Sequence, residues 1–138
     1  MSMKSRVWIL ALIVLLCWSV IATISAVYFY QQYTSIGASM IQVSVTIDYG
    51  NGTSITHEKV RLFYNTTALD ALMAVAKVSA TYWPSFDATF VDAINGVANN
   101  PDDMNYWMYY VNGEHAAVGA DKYLLHNGDH VEWKYEHM

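Results

Sequence analysis

The sequence predicts an α+β protein in which one membrane-crossing helix precedes a mixed sheet that carries a single amphipathic helix. Three observations support this: an uncharged apolar run near the amino terminus, period-two alternation in several later segments, and one segment whose apolar residues recur at helical spacing.

The apolar run is "VWILALIVLLCWSVIATISAVYFY", Val7 to Tyr30. As a helix it would be about 36 Å long, against about 30 Å for a bilayer's hydrocarbon layer. Trp8 at one end and Tyr28, Phe29 and Tyr30 at the other fall where amphipathic rings favour the headgroup region. Lys4 and Arg6 are the charges that precede it, so the positive-inside rule places the amino terminus in the cytoplasm. A cleavable signal peptide competes with this reading, but its apolar core is usually about 7 to 15 residues, and Thr23-Ile24-Ser25 is a weak cleavage match. The expected organisation is a signal anchor over 1–30, a polar tether "QQYTSIGAS" over 31–39, and an extracytoplasmic domain over 40–138 in the cell membrane's outer space.

Composition narrows the function of that domain. Its five Lys and Arg stand against twelve Asp and Glu, a formal charge of −7, which disfavours nucleic acid and anionic headgroups as partners. The single cysteine, Cys17, lies in the apolar run, so no intrachain disulfide is available and the apolar core must hold the domain together. Two sequons, Asn51-Gly52-Thr53 and Asn65-Thr66-Thr67, fit an exported chain and make Asn51 and Asn65 candidate glycosylation sites.

Along the domain, "IQVSVTID" alternates Ile41, Val43, Val45 and Ile47 with polar residues and predicts a half-buried strand. "YGNGT" supplies a tight connection, and Ser54 to Phe63 reads as the return strand, with Ile55 out of phase with Val60 and Leu62 in the manner of a bulge. In "TTALDALMAVAKV" Leu69, Leu72, Met73 and Ala76 recur at helical spacing, with Thr67 and Asp70 as a capping box; the helix is expected to end near Val78 and Ser79. Phe86 to Ile94 gives another strand, closed by Asn95-Gly96, and "VANNPDD" an irregular crossing. "NYWMYYVNGE" then presents a strand and an Asn-Gly hairpin turn, in a register setting Tyr110 opposite His115, Tyr109 opposite Ala116, Met108 opposite Ala117 and Trp107 opposite Val118. A second turn, His126-Asn127-Gly128-Asp129, leads into a closing strand with Val131, Trp133 and Tyr135 on one face. Hairpin, helix and further strands, with the last rejoining the first, is by analogy a β-grasp-like arrangement.

At "YWMYYVNGE", "GADKYLL" and "NGDHVEWKYE", with "VTIDYGNG", "TTALDAL" and "FVDAINGV" before them, the sequence resembles the transcobalamin carboxy-terminal-like domain family. These domains occur on bacterial and archaeal surface proteins and are named for the β domain of transcobalamin and intrinsic factor. The resemblance covers nearly all of Met40 to Met138. Tyr106 and Trp107 match a Tyr-Trp pair in the vitamin carriers, and Gly119, Ala120, Asp121 and Tyr123 match a Gly-x-Ala-Asp-Tyr-like segment with altered spacing. The resemblance implies a cobalamin-like or other corrinoid ligand held between this domain and a helical barrel. This chain carries no such barrel, so half of that cleft is missing and cobalamin binding does not carry over directly.

The residues themselves point the same way. Tyr106, Met108 and Tyr110 share one face of their strand, and Trp107, Tyr109 and Val111 the other, so a half-covered sheet must expose one aromatic set or cover it with something. The candidate ligand contacts are Tyr106, Trp107, Tyr109, Tyr110, Asp121, Tyr123 and Trp133, because flat rings bury much area at little entropy cost and Asp121 can orient a polar group. The set facing away from the helix is where the ligand is expected. His126 and His130 bracket Asp129, but the intervening Asn-Gly makes a turn, so no metal site is expected there. No nucleophile elbow, phosphate loop or paired cysteine recommends catalysis. The expected function is a membrane-anchored binding module for a small ligand or for a partner domain; the rival is a structural or adhesive surface module, and a less favoured third is an enzyme built on His126, Asp129 and His130.

Overall fold

The computed structural model describes residues 3–138, which divide into two compact units, one ending at Ser39 and the other spanning Met40–Met138. The first is a single helix, α1 (Met3–Ala38), long and apolar enough to cross a membrane, with its apolar stretch unburied within the chain. A helix that is apolar all round and covered by no protein fits a lipid surrounding.

The second unit is α+β. Its main sheet combines β1 (Met40–Asp48), β2 (Ser54–Phe63), β6 (Asn105–Val111), β7 (Glu114–His115) and β8 (His130–His137) in the order β2-β1-β8-β6-β7. β8 runs parallel to β1 and antiparallel to β6, so the last strand rejoins the first at the sheet's centre, as the β-grasp-like reading expects. The alternation of β1 is realised in burial: Ile41, Val43, Val45 and Ile47 are all core residues. The bulge in β2 also forms. Val43 pairs with Val60 and Val45 with His57, so Glu58 and Lys59 together oppose Ser44, with Lys59 at φ 56°. The extra residue brings Ile55 opposite Ile47, which resolves its phase mismatch.

α2 (Ala68–Val75) is shorter than the sequence suggests and lays Ala68, Leu69, Ala71 and Leu72 on the sheet's apolar face, while Met73 is exposed. Its capping box is present: the Asp70 N–H donates to Thr67 Oγ1 at 3.2 Å, and the Thr67 N–H donates to Asp70 Oδ2 at 3.0 Å. Such a cap is worth about 1 kcal/mol. The helix stops at Ala76, which is extended, because Lys77 exchanges hydrogen bonds with Asn95 and draws Val78 into a strand.

That strand, β3 (Val78–Trp83), was not expected. It pairs with β4 (Ala88–Ile94), and β4 with β5 (Val97–Ala98), in a separate three-stranded sheet. β4 starts two residues later than the sequence suggests, since Phe86 and Asp87 belong to the β3–β4 turn. The core lies between the main sheet, α2 and the inner residues of the small sheet, Val91 and Ile94.

Candidate functional site

The two aromatic sets of β6 separate cleanly. Trp107, Tyr109 and Val111 are 6%, 8% and 4% exposed and face the core, while Tyr106, Met108 and Tyr110 are half-buried on the opposite face. Trp133 stacks on Tyr109, with centroids 5.2 Å apart and planes at 26°, and Tyr123 meets Tyr109 edge-on at 6.4 Å. Five of the seven candidate contacts are thereby gathered on the core side: Trp107, Tyr109, Asp121, Tyr123 and Trp133. Tyr106 and Tyr110 lie on the other side, where the Tyr110 hydroxyl donates to Glu136 and the Lys134 ammonium sits 5.0 Å from the Tyr110 ring. That hydrogen bond to a carboxylate raises the Tyr110 phenol above its usual range.

The groove nevertheless borders the core-facing set and not the outward-facing set on which the ligand was expected, because the core-facing set is not sealed. Asn112 and Gly113, at φ 52° and 83°, form the two-residue turn, and Tyr110 pairs with His115 as the register demands. β7 then ends, and the expected pairings of Tyr109, Met108 and Trp107 with Ala116, Ala117 and Val118 do not form. The chain swings away from β6, toward the small sheet. The gap beside β6 opens into a groove of about 340 Å³, walled by β4 from Ala88 to Val91, by β6 from Trp107 to Tyr109, and by the segment His115 to Ala120. Trp133 and Phe86 complete its lining. At one end the Asn99 carboxamide bridges the two sheets, donating to the Val91 carbonyl at 2.9 Å and accepting from the Trp107 N–H at 2.9 Å.

The segment "GADKY" contributes Gly119 and Ala120 to the lining. The Lys122 N–H donates to the Gly119 carbonyl at 2.9 Å, which makes a turn. The carbonyls of Ala120 and Tyr123 accept from the Leu69 and Ala68 N–H groups, both at 2.9 Å, so this turn supplies part of the cap of α2. Gly119 is required by close approach and not by an unusual φ: a Cβ there would stand 2.6 Å from Asp121 Oδ1 and 3.0 Å from the Ala88 Cβ. Asp121 Oδ2 accepts from the Thr89 N–H of the groove wall at 3.0 Å. The Tyr109 hydroxyl donates to the Val118 carbonyl. Burial, then the neighbouring Tyr123 and Asp121, pushes its pKa up to about 12.

Two polar atoms stand out. Among the described residues, the buried side-chain atoms with no hydrogen-bond partner are Asp121 Oδ1 and Trp133 Nε1, an acceptor and a donor; Trp133 lines the groove, and Asp121 lies behind its wall, hydrogen-bonded to Thr89. Each such atom costs about 1 to 3 kcal/mol when left unmet in a folded protein.

The histidines do not converge. His126 Nδ1 is 3.8 Å from Asp129 Oδ2, whereas His130 Nδ1 is hydrogen-bonded to Ser44 Oγ at 2.7 Å. Among the described residues no group of three or more His, Cys, Asp or Glu side chains could hold a metal ion. Asn51 and Asn65 are both exposed; Asn51 Oδ1 accepts from the Thr53 N–H and Asn65 adopts φ 66°. The part sequence reasoning missed is the wall formed by Ala88 to Val91 and by Ala116 to Val118; Ala88 and Val91 are buried and read in the sequence as ordinary strand core, so nothing marks them as groove lining.

Solved structures that share this fold include the following two. Haptocorrin in complex with Cbi superposes with a TM-score of 0.60 at 19% identity, over 70% of this chain and 25% of that one, so the chain spans about a quarter of its length. A candidate metal-binding protein from Ruminococcus gnavus ATCC 29149 superposes with a TM-score of 0.54 at 15% identity, over 71% of this chain and 98% of that one. No curated protein sequence matches the chain. One family profile, that of the Domain of unknown function (DUF4430), matches residues 65–137, from the turn before α2 through β8 and more than half of the chain. The chain belongs to the DUF4430 family.

Proposed function

We propose that this protein is a membrane-anchored extracytoplasmic module that holds a ligand non-covalently in the groove between β4 and β6, with no chemical step. One observation carries the reading: an apolar groove of about 340 Å³ is lined by the aromatic side chains of Trp107, Tyr109 and Trp133, with the buried unmet atoms Trp133 Nε1 on its lining and Asp121 Oδ1 behind its wall. Ligand sites are typically apolar clefts of about 300 to 1,000 Å³ with a few converging polar groups.

The fold shared with haptocorrin in complex with Cbi supports a corrinoid-like ligand. A macrocycle fringed with amide arms overfills a groove of this size, so the domain would cover one face and a partner domain the other. Trp107, Tyr109 and Trp133 would form the floor, Asp121 and Tyr123 would support it from behind through Thr89 and Tyr109, and Tyr106 and Tyr110 would form a separate surface for the partner. α1 would anchor the module, with Lys4 and Arg6 holding its amino terminus in the cytoplasm. Asn51 and Asn65, exposed in turns, would then be open to glycosylation.

The test is a titration of the detergent-solubilised chain with cobalamin and cobinamide, followed by tryptophan fluorescence. Saturable quenching is expected, since two indoles line the groove. A flat response at high-micromolar corrinoid contradicts stand-alone corrinoid binding, and capture of a membrane partner then becomes the measurement of interest. An adhesive role is favoured by one feature alone, the exposed rings of Tyr82, Trp83, Phe86 and Phe90 on the small sheet.

A further inference from the structure

Beyond Phe86 and Phe90, which border the groove, lies a second, open cleft of about 370 Å³, lined by Trp83, Phe86, Phe90, Asp92, Asn99 and Tyr106. Trp83, Phe86 and Phe90 are 51%, 67% and 48% exposed, so these rings contribute little to the core. Phe86 and Phe90 meet edge to face, with centroids 5.7 Å apart and planes at 75°, and so offer differently oriented surfaces to one space.

The polar groups of the cleft restrict what it can take. Both ends of the Asn99 carboxamide are already committed, to Val91 and Trp107. Asp92 accepts the Thr81 hydroxyl at 2.7 Å through Oδ2 and contributes a negative charge. None of the lining residues is Lys, Arg or His, and the domain as a whole carries a formal charge of −7. The donors left to the cleft are the Trp83 indole N–H and the Tyr106 hydroxyl, neither of them charged. An anion would be repelled, and a neutral apolar group would gain nothing from Asp92.

We propose that this cleft binds a quaternary ammonium group. A methylated cation makes no hydrogen bonds, loses little on leaving water, and is attracted by the negative faces of aromatic rings, by about 0.5 to 2 kcal/mol per ring contact. Asp92 adds charge complementarity at the cleft's edge. The group could come from a free solute such as choline or from a phosphatidylcholine headgroup.

The experiment is saturation-transfer NMR on the methyl protons of choline, with the full chain in maltoside detergent, against the neutral isostere 3,3-dimethylbutan-1-ol. Choline is expected to saturate and to bind at least about tenfold more tightly than the alcohol. Trp83→Ala and Asp92→Asn should each weaken choline severalfold; Asp92→Asn can keep the Thr81 hydrogen bond through its amide oxygen, so its fold is not at risk. Equal binding of the two compounds, no choline signal, or a signal indifferent to both substitutions would overturn the proposal. Repeating the titration in phosphatidylcholine nanodiscs separates the sources: competition from the headgroup weakens free choline, whereas a solute site is unaffected. Phe86 and Phe90 line both spaces, but Ala117 lines only the groove, so Ala117→Phe should leave choline binding unchanged and separates a failure of this site from a failure of the groove.

Discussion

The main sheet and the small sheet use aromatic residues in opposite ways. In the main sheet Trp107, Tyr109 and Trp133 are 6%, 8% and 2% exposed, locked by stacking and by hydrogen bonds such as that from Trp107 Nε1 to the Val97 carbonyl at 2.8 Å. On the β3–β4 hairpin the rings of Trp83, Phe86 and Phe90 remain about half exposed or more, and Phe86 and Phe90 meet each other edge to face. The first set holds the domain together without any disulfide. The second is free to meet something else, and the groove lies where the two regimes adjoin.

This contrast is sharpest in stability. Trp133→Ala should cost about 3 to 5 kcal/mol in urea unfolding, through lost burial and the cavity left behind. Trp83→Ala should change stability by no more than about 0.5 kcal/mol, as expected of a surface substitution. Similar costs for the two would dissolve the distinction between the sheets.

A smaller effect concerns protons. The folded-state pKa of Tyr109, about 12, lies above the ordinary 10.0, so its contribution to stability is complete below pH 10 and is lost as pH rises toward 12. Two units correspond to roughly 2 to 3 kcal/mol. Thermal unfolding followed between pH 9 and pH 12 should show this loss, and Tyr109→Phe should flatten it. An unchanged alkaline profile in that variant would remove Tyr109 from the account. Tyr82, on the exposed hairpin, is also raised, by its hydrogen bond to Asp87. It is open to solvent, so Tyr82→Phe should leave the profile as it is.

The same contrast explains what could be read from the sequence. β1 was legible because its alternation is a burial pattern, and β6 because Asn112-Gly113 can scarcely be anything but a hairpin turn. The capping box of Thr67 and Asp70 marked the start of α2. β3 was not legible: four of its six residues are exposed, so burial wrote no alternation into "VSATYW", and the helical pattern before it appeared to run on. The groove was hidden for a different reason. An Asn-Gly turn implies continued pairing, and nothing in "HAAVGA" announces that the ladder stops after His115. Trp133 was singled out by residue type and Asp121 by residue type and the family resemblance; that they carry the unmet polar atoms became visible only with their neighbours in place.

The most direct measurement compares two variants of the full chain in the same corrinoid titration. Ala117 is exposed at the groove's wall, so Ala117→Phe should fill the groove without unfolding the domain; Tyr110→Ala alters only the opposite face. The groove reading predicts that Ala117→Phe weakens binding at least about tenfold, the worth of roughly 1.4 kcal/mol, while Tyr110→Ala leaves it nearly intact. Undiminished binding by Ala117→Phe together with its loss in Tyr110→Ala would contradict it, and would move the ligand to the outer face of β6.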